Sequence, residues 1–436
     1  MDTFIGVILL ITFFGFIFYA FKGGNLLLGL FTMAVLWSAL GAISGQVDWA
    51  TINTNVFQGG PEGFGATAVN IIFGSWFGRV LIETGIAKTI IRKAVELGGD
   101  KPALTCVLLC VVTTAIFTTA YGAGAVVAIG VIVFPIMLSL GISKPLATGA
   151  FSMSVGCGLY VNSSLLMQAA GTMVLNEQQY NPLAGEWYRF AGVALAIHLL
   201  FVIAMVILGV NRERKVRAWA AGDAGINLGS EQNASLWACI TPIMPVSFAI
   251  AFGFSSIVSI ILAVIWALAW TGNLKGWKKI GAVVEKTFYE GVSDVGLVLG
   301  FLLFLQMFVR AAGACKGLLA PLVAPILPQN TFLLFVVFGV LGFLALFRGP
   351  TTIWGAGSAT FAIVAGTGLY PLSVLYPLFY IPCCTITTSV CPTQSWNLWA
   401  IGYNQITVKD FLKQVLIFAL PLCLILEVVA YFMFAA

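Results

Sequence analysis

The chain has 436 residues, 60% of them hydrophobic and only 8% charged, with a formal net charge of +5. Ordinary soluble domains carry roughly 25% charged residues, so this composition excludes a soluble fold of this length, and the apolar runs leave no room for a sizeable soluble domain. The small positive excess matches the cationic bias of cytoplasmic loops and implies no nucleic-acid partner.

Apolar runs between turn signals predict helices near 3–21, 25–44, 66–87, 103–119, 145–170, 187–210, 235–252, 255–271, 287–309, 329–347, 371–397 and 410–434. The first follows Asp2 with no Lys or Arg before it and no small-x-small cleavage site after it, which reads as a retained helix and not a signal peptide. Two glycine-interrupted stretches, 120–142 and 349–370, are expected to make one net crossing each, as a hairpin joined to a broken helix. With the N-terminus outside, Lys22, Lys88, Arg92, Lys93, Lys101 and Lys144 then fall inside. So do Arg212, Arg214, Lys215, Arg217, the Lys275–Lys286 cluster, Arg348, Lys409 and Lys413, as the positive-inside rule requires. Glu177 and Glu186 fall outside, and Arg189, Arg310 and Lys316 break the pattern. The expected location is a plasma membrane, as a multi-pass protein of a bacterial inner membrane.

Gly85-Ile86-Ala87-Lys88 is echoed by Gly313-Ala314-Cys315-Lys316 at an offset of 228, and Pro145 by Pro371 and Gln168 by Gln394 at an offset of 226. Each anchor sits in the same order of helix, apolar span, glycine-rich stretch and broken helix, which indicates duplication. Lys88 lies inside and Lys316 outside, so the halves are inverted across the membrane. The expected organisation is an extra N-terminal helix at 1–21, a first repeat at 22–210, a cytoplasmic linker at 211–234 and a second repeat at 235–436.

Polar, glycine-rich breaks interrupt the apolar runs at Gly156–Ser164 and at Thr385–Thr393. Loosened backbone at membrane depth survives only against protein or a water-filled cavity, and a matched pair of such breaks points to the binding site of a transporter. Hydroxyls, amides and the N–H groups of half-helices suit a small anion without the cost of burying an unpaired ion. The candidate substrate contacts are Asn162, Ser163, Ser164, Thr388, Ser389 and Gln394, joined by Arg348, Thr351 and Thr352. Arg348 either forks onto a carboxylate or snorkels to the interface as one more inside charge. Coupling to an ion gradient calls for a carboxylate within the membrane. Asp294 is the first candidate, with Glu290 one turn away, and Glu83, near Arg79 and Lys88, is the second. Glu427 stands alone in the last helix, and His198, the one histidine, reads as a hydrogen-bonded structural residue. Nine cysteines without a Cys-x-x-Cys pair read as small buried hydrophobes, with no metal site and no cofactor expected.

The segment Gly74-Ser75-Trp76-Phe77-Gly78-Arg79-Val80-Leu81-Ile82-Glu83-Thr84-Gly85 resembles a glycine-spaced stretch of the gluconate permease and citrate–proton symporter families, within the ion transporter superfamily of secondary carriers. Gly355-Ala356-Gly357-Ser358-Ala359-Thr360 is similar to a gluconate permease element, and Thr407-Val408-Lys409-Asp410 to an ending seen in citrate-type carriers. The resemblance implies an all-α polytopic membrane protein built as an inverted-topology repeat, with two re-entrant or glycine-broken hairpins and two discontinuous helices. It further implies symport of a small organic anion, such as a sugar acid or other carboxylate, with a proton or sodium ion, in a membrane-embedded homodimer. Ser358 and Thr360 become substrate contacts on the same ground. The Ser-Asn-Thr hairpin signatures of the sodium-coupled members are missing here. A cation–proton antiporter is the alternative, though it would need paired membrane carboxylates. An enzyme is not expected, because neither Ser163 nor Ser389 has a general base nearby in sequence.

Overall fold

A backbone in hydrocarbon must satisfy its own polar groups, so the apolar runs of this chain fold almost wholly as helices. The structure, a computed structural model, describes residues 2–99, 101–175, 178–183, 185–217 and 234–435. Among them the strands form a single short ribbon, Val174–Leu175 against Gln178–Gln179. Among the described residues seven helices are long and apolar enough to cross a membrane: Asp2–Ala20, Leu26–Ile43, Trp49–Glu83, Gly185–Arg212, Trp277–Ala314, Thr331–Arg348 and Val408–Phe434. Lys144–Gly158 and Ser163–Thr172, bent by 73° at their junction, pass the same test together as one broken helix. The chain is an all-α polytopic membrane protein. Phe4, Ile11, Phe14 and Phe18 project from the first helix onto the outer surface, an apolar face suited to lipid. The expected linker at 211–234 lies largely outside the described residues.

One order of elements occurs twice. Trp49–Glu83 leads to the short helix Ile86–Gly98, a hairpin of Pro102–Phe117 and Ala123–Ser139, the broken helix at 144–172, and the closing helix Gly185–Arg217. Trp277–Ala314 leads in the same way to Lys316–Val323, a hairpin of Thr331–Arg348 and Gly357–Gly366, a broken helix of Leu372–Thr388 and Ser395–Tyr403, and the closing helix Val408–Phe434. Between the two sets stands the helix pair Ala238–Phe252 and Ser256–Trp270.

Three expectations need correction. The helix expected near 66–87 begins earlier, at Trp49, with a π turn at Ile52–Gln58 and the Asp48 side chain capping Thr51 N at 2.9 Å. Its glycines serve close packing: a Cβ at Gly60 would lie 3.2 Å from the backbone of Gln306. The stretches 120–142 and 349–370 do not cross independently either. Each is the return leg of a hairpin, and Gly357–Gly366, at 10 residues, reaches about 15 Å, half of a hydrocarbon core. Two legs that return cancel just as two crossings do, so the sidedness of the other loops is unchanged. Arg348 is the exception: it lies at the hairpin tip inside the protein, not at the inner interface.

The long lead helices of the two sets pack on each other. Gly291 meets the backbone of Trp76, where an added Cβ would come within 2.8 Å, and Trp76 Nε1 donates to Thr287 Oγ1 at 3.1 Å. The broken helices cross in the same way, with Gly156 against Ser389. Carbonyls freed by the first break find donors on neighbouring helices. Leu159 O accepts from Tyr380 Oη at 2.8 Å and Tyr160 O from Trp187 Nε1 at 3.0 Å, and Leu166 O, inside the following helix Ser163–Thr172, accepts from Tyr376 Oη at 3.0 Å. At the second break Thr388 O accepts from Trp396 Nε1 and Asn397 Nδ2, and Cys391 O from the same amide.

Candidate functional site

Both hairpin tips meet both broken helices around one cavity of about 170 Å³. The first tip contributes Tyr121 and the second contributes Arg348 and Trp354. Gln168 comes from the first broken helix, and Thr388, Thr393, Gln394 and Ser395 from the second. Leu297, Val298 and Phe301 of the Trp277–Ala314 helix close the apolar side.

Each tip is tied to its own broken helix by the same device. Tyr121 Oη donates to Gln168 Oε1 at 2.6 Å, and Arg348 Nη2 donates to Gln394 Oε1 at 3.0 Å. Donors and acceptors occupy matching places in the two repeats, but the first tip offers a neutral phenol and the second a guanidinium. Arg348 Nη1 also donates to Trp354 O at 3.3 Å, and no carboxylate pairs with Arg348 among the described residues. Phe347 and Arg348 both hold left-handed backbone, with φ of 53° and 63°. Such conformations cost about 1–3 kcal/mol each and persist where surrounding structure imposes them. In the same loop Phe347 N donates to Cys391 Sγ at 3.1 Å and Ile353 N to Cys383 Sγ at 3.4 Å. Trp354 is buried, and its indole N–H has no acceptor among the described residues.

The candidate contacts divide sharply. Arg348, Thr388 and Gln394 line the cavity. Asn162 does not, because its amide donates to Phe117 O and Ala120 O at 3.0 and 2.9 Å while its Oδ1 caps Leu165 N at 3.2 Å. Ser163 accepts from Ser256 Oγ on the far side, at 2.7 Å, and Ser164 donates to Asn70 O at 3.0 Å where Gly74 packs against it. Ser389 Oγ turns back to Cys384 O at 2.5 Å, and Ser358 Oγ to Gly355 O at 2.8 Å. Thr352 lies 3.5 Å from Cys383 Sγ, and the hydroxyls of Thr351 and Thr360 are buried without partners among the described residues and do not line the cavity. Tyr121, Trp354 and Trp396 escaped the sequence reading because aromatic residues in an apolar protein carry no signal of their own. The Gln168–Gln394 echo was visible, but not what each glutamine holds.

No family model matches this chain, and no curated protein does. A solved structure aligns with nearly all of it. The YdaH transporter of Alcanivorax borkumensis, described as having an unusual topology, superposes with a TM-score of 0.63 over 93% of this chain and 97% of its own, at 16% identity. The two proteins share a fold. This likeness does not single out the gluconate permease or citrate–proton symporter families.

The carboxylates Asp294, Glu290 and Glu83 are engaged. Asp294 receives a two-pronged bond from Arg79, Nε to Oδ2 at 2.5 Å and Nη2 to Oδ1 at 2.6 Å, and Glu290 lies 3.3 Å from Arg79 Nη1. Glu83 pairs with Lys286 at 2.8 Å. Both pairs join the two lead helices, and Asp294 rests against Gly124 at the start of the first hairpin's return leg. Removing one partner of a largely buried pair strands the other charge. Asp294→Asn should therefore cost roughly 1–3 kcal/mol, between the exposed and fully buried limits. Arg79→Gln with Asp294→Asn should recover most of that loss, as read from thermal unfolding in a double-mutant cycle. Equal and additive losses would show that the pair contributes nothing.

Proposed function

We propose that the protein is a secondary active symporter for a small organic monoanion, a hydroxylated carboxylate of the sugar-acid kind, moved with a proton. One observation carries this reading: among the described residues, the cavity where both tips and both broken helices converge is lined by a single guanidinium, no carboxylate and no second cation. A guanidinium suits a planar carboxylate, and the unpaired indole N–H of Trp354 supplies a further donor beside it. Tyr121, Thr388, Thr393 and Ser395 can exchange hydrogen bonds with hydroxyls, while Phe301 and Leu297 favour a carbon chain over a second charge. The shared fold with a transporter, and paired broken helices of the kind used in alternating access, support carriage over enzymatic chemistry. A cation–proton antiporter would need free paired acids, whereas Glu83, Glu290 and Asp294 are all held by basic residues.

Proteoliposome counterflow tests the substrate class. Radiolabelled D-gluconate should exchange against internal D-gluconate, with succinate and citrate competing tens of times more weakly. Leaving one extra carboxylate without a charged partner forfeits about 2–3 kcal/mol. Equal competition by the di- and tricarboxylates would remove the monoanion reading, and gradient-independent leakage of inorganic ions would favour a channel.

A further inference from the structure

Glu427 is a buried acid to which the anion site gives no role. It lies on the closing helix Val408–Phe434, fully buried, and neither carboxyl oxygen has a hydrogen-bond partner among the described residues. The element laid over it is the first leg of the second hairpin. A Cβ at Gly339 would sit 3.4 Å from Glu427 Cβ and 2.8 Å from Leu424 Cα, and a Cβ at Gly342 would sit 2.7 Å from Cys423 Sγ. Two glycines thus let this leg lie flush on the acid. The titratable groups that feel Glu427 electrostatically are Tyr160, at the first break, and Cys423, one turn earlier on its own helix. Neither is a cation. Tyr160 Oη stands 3.2 Å from His198 Nδ1, which places the histidine one hydrogen bond further on.

An ionised carboxylate is strongly disfavoured in a dry, unpartnered site, whereas the neutral acid is tolerated. The flush packing of the hairpin leg therefore suits the protonated form, and ionisation requires the leg to lift and water to enter. That same hairpin carries Arg348 at its tip. We propose that Glu427 is the proton-binding site of this carrier, taking a proton from water on one side and releasing it on the other as the second hairpin closes and opens. The proposal rests on the transport reading above and specifies its coupling ion and the residue that holds it.

The test has two arms. In the first, which needs no substrate, the unfolding temperature of the purified protein should fall from mildly acidic to alkaline pH, and Glu427→Gln should flatten that dependence. In the second, Glu427→Gln should keep D-gluconate counterflow within about twofold of the parent while losing accumulation driven by an inward proton gradient. Glu427→Asp, which retains an acid, should accumulate with a displaced pH profile, and it serves if the glutamine variant cannot be purified. An unchanged pH dependence of unfolding, parental accumulation by Glu427→Gln, or an undisplaced profile for Glu427→Asp would overturn the proposal. Loss of counterflow together with accumulation would also overturn it, since Glu427 would then serve movement and not coupling. Failure of the parent itself to exchange D-gluconate would instead overturn the substrate reading, and the first arm would still decide the fate of Glu427.

Discussion

Replacing Arg348 with glutamine is expected to reduce D-gluconate uptake at low concentration by about a hundredfold or more while leaving the unfolding temperature of the substrate-free protein unchanged or raised. Two charge-assisted bonds from a guanidinium to a carboxylate contribute about 3–5 kcal/mol, and each 1.4 kcal/mol is tenfold in affinity. The resting contacts of Arg348 are Gln394 Oε1 and Trp354 O, both neutral acceptors. A guanidinium held inside protein without a counter-charge burdens the empty protein, so its removal relieves that cost. Arg348→Lys should recover only part of the uptake, because an ammonium cannot span Gln394, Trp354 O and a substrate in one plane. Uptake kinetics and thermal unfolding on the same preparations decide the matter. A marked loss of stability with Arg348→Gln would make the residue a structural one.

Asn162→Ala is expected to act in the opposite way, by destabilising the protein. Three buried bonds depend on that side chain: two to the tip carbonyls of Phe117 and Ala120 and one to the amide of Leu165, the N-cap bond of the helix Ser163–Thr172. Leaving buried groups unsatisfied costs about 1–3 kcal/mol each and losing a cap about 1 kcal/mol. The sum, roughly 3–6 kcal/mol, is a large share of the stability of a typical protein. Amide hydrogen exchange should rise at residues 118–122, the first hairpin tip, and the unfolding temperature should fall by many degrees. Asn162→Asp keeps the cap but not the two donated bonds, so it should restore little. Slow exchange at the tip in Asn162→Ala would show that other contacts hold it.

These two residues show how far the sequence could be read. Both were marked as candidate anion contacts because both sit at glycine-rich interruptions of apolar runs, where polarity is costly enough to be informative. Arg348 lines the cavity and Asn162 does not. Side-chain orientation at a break depends on which freed carbonyl lies within reach, and for Asn162 those carbonyls belong to a hairpin about 40 residues earlier in the chain. Asp294 shows the same limit over a longer range: its partner Arg79 lies 215 positions away. Asp294 proved to be occupied in space, while Glu427 has no hydrogen-bond partner among the described residues.

Composition, apolar periodicity and the spacing of polar breaks by themselves determined that this is a helical membrane protein with interruptions at matching places in a repeated order of elements. Those features follow from local hydrogen-bond satisfaction and the cost of polarity in hydrocarbon, which act along the chain and so leave marks in it. Only the tertiary structure decided that the glycine-rich stretches are return legs of hairpins, that Arg348 sits at a tip against Gln394, that Tyr121 and Trp354 share its cavity, and which carboxylates are free. Those depend on close approach between helices far apart in sequence, where glycines let backbones touch and a difference of one rotamer separates a cavity contact from a structural one.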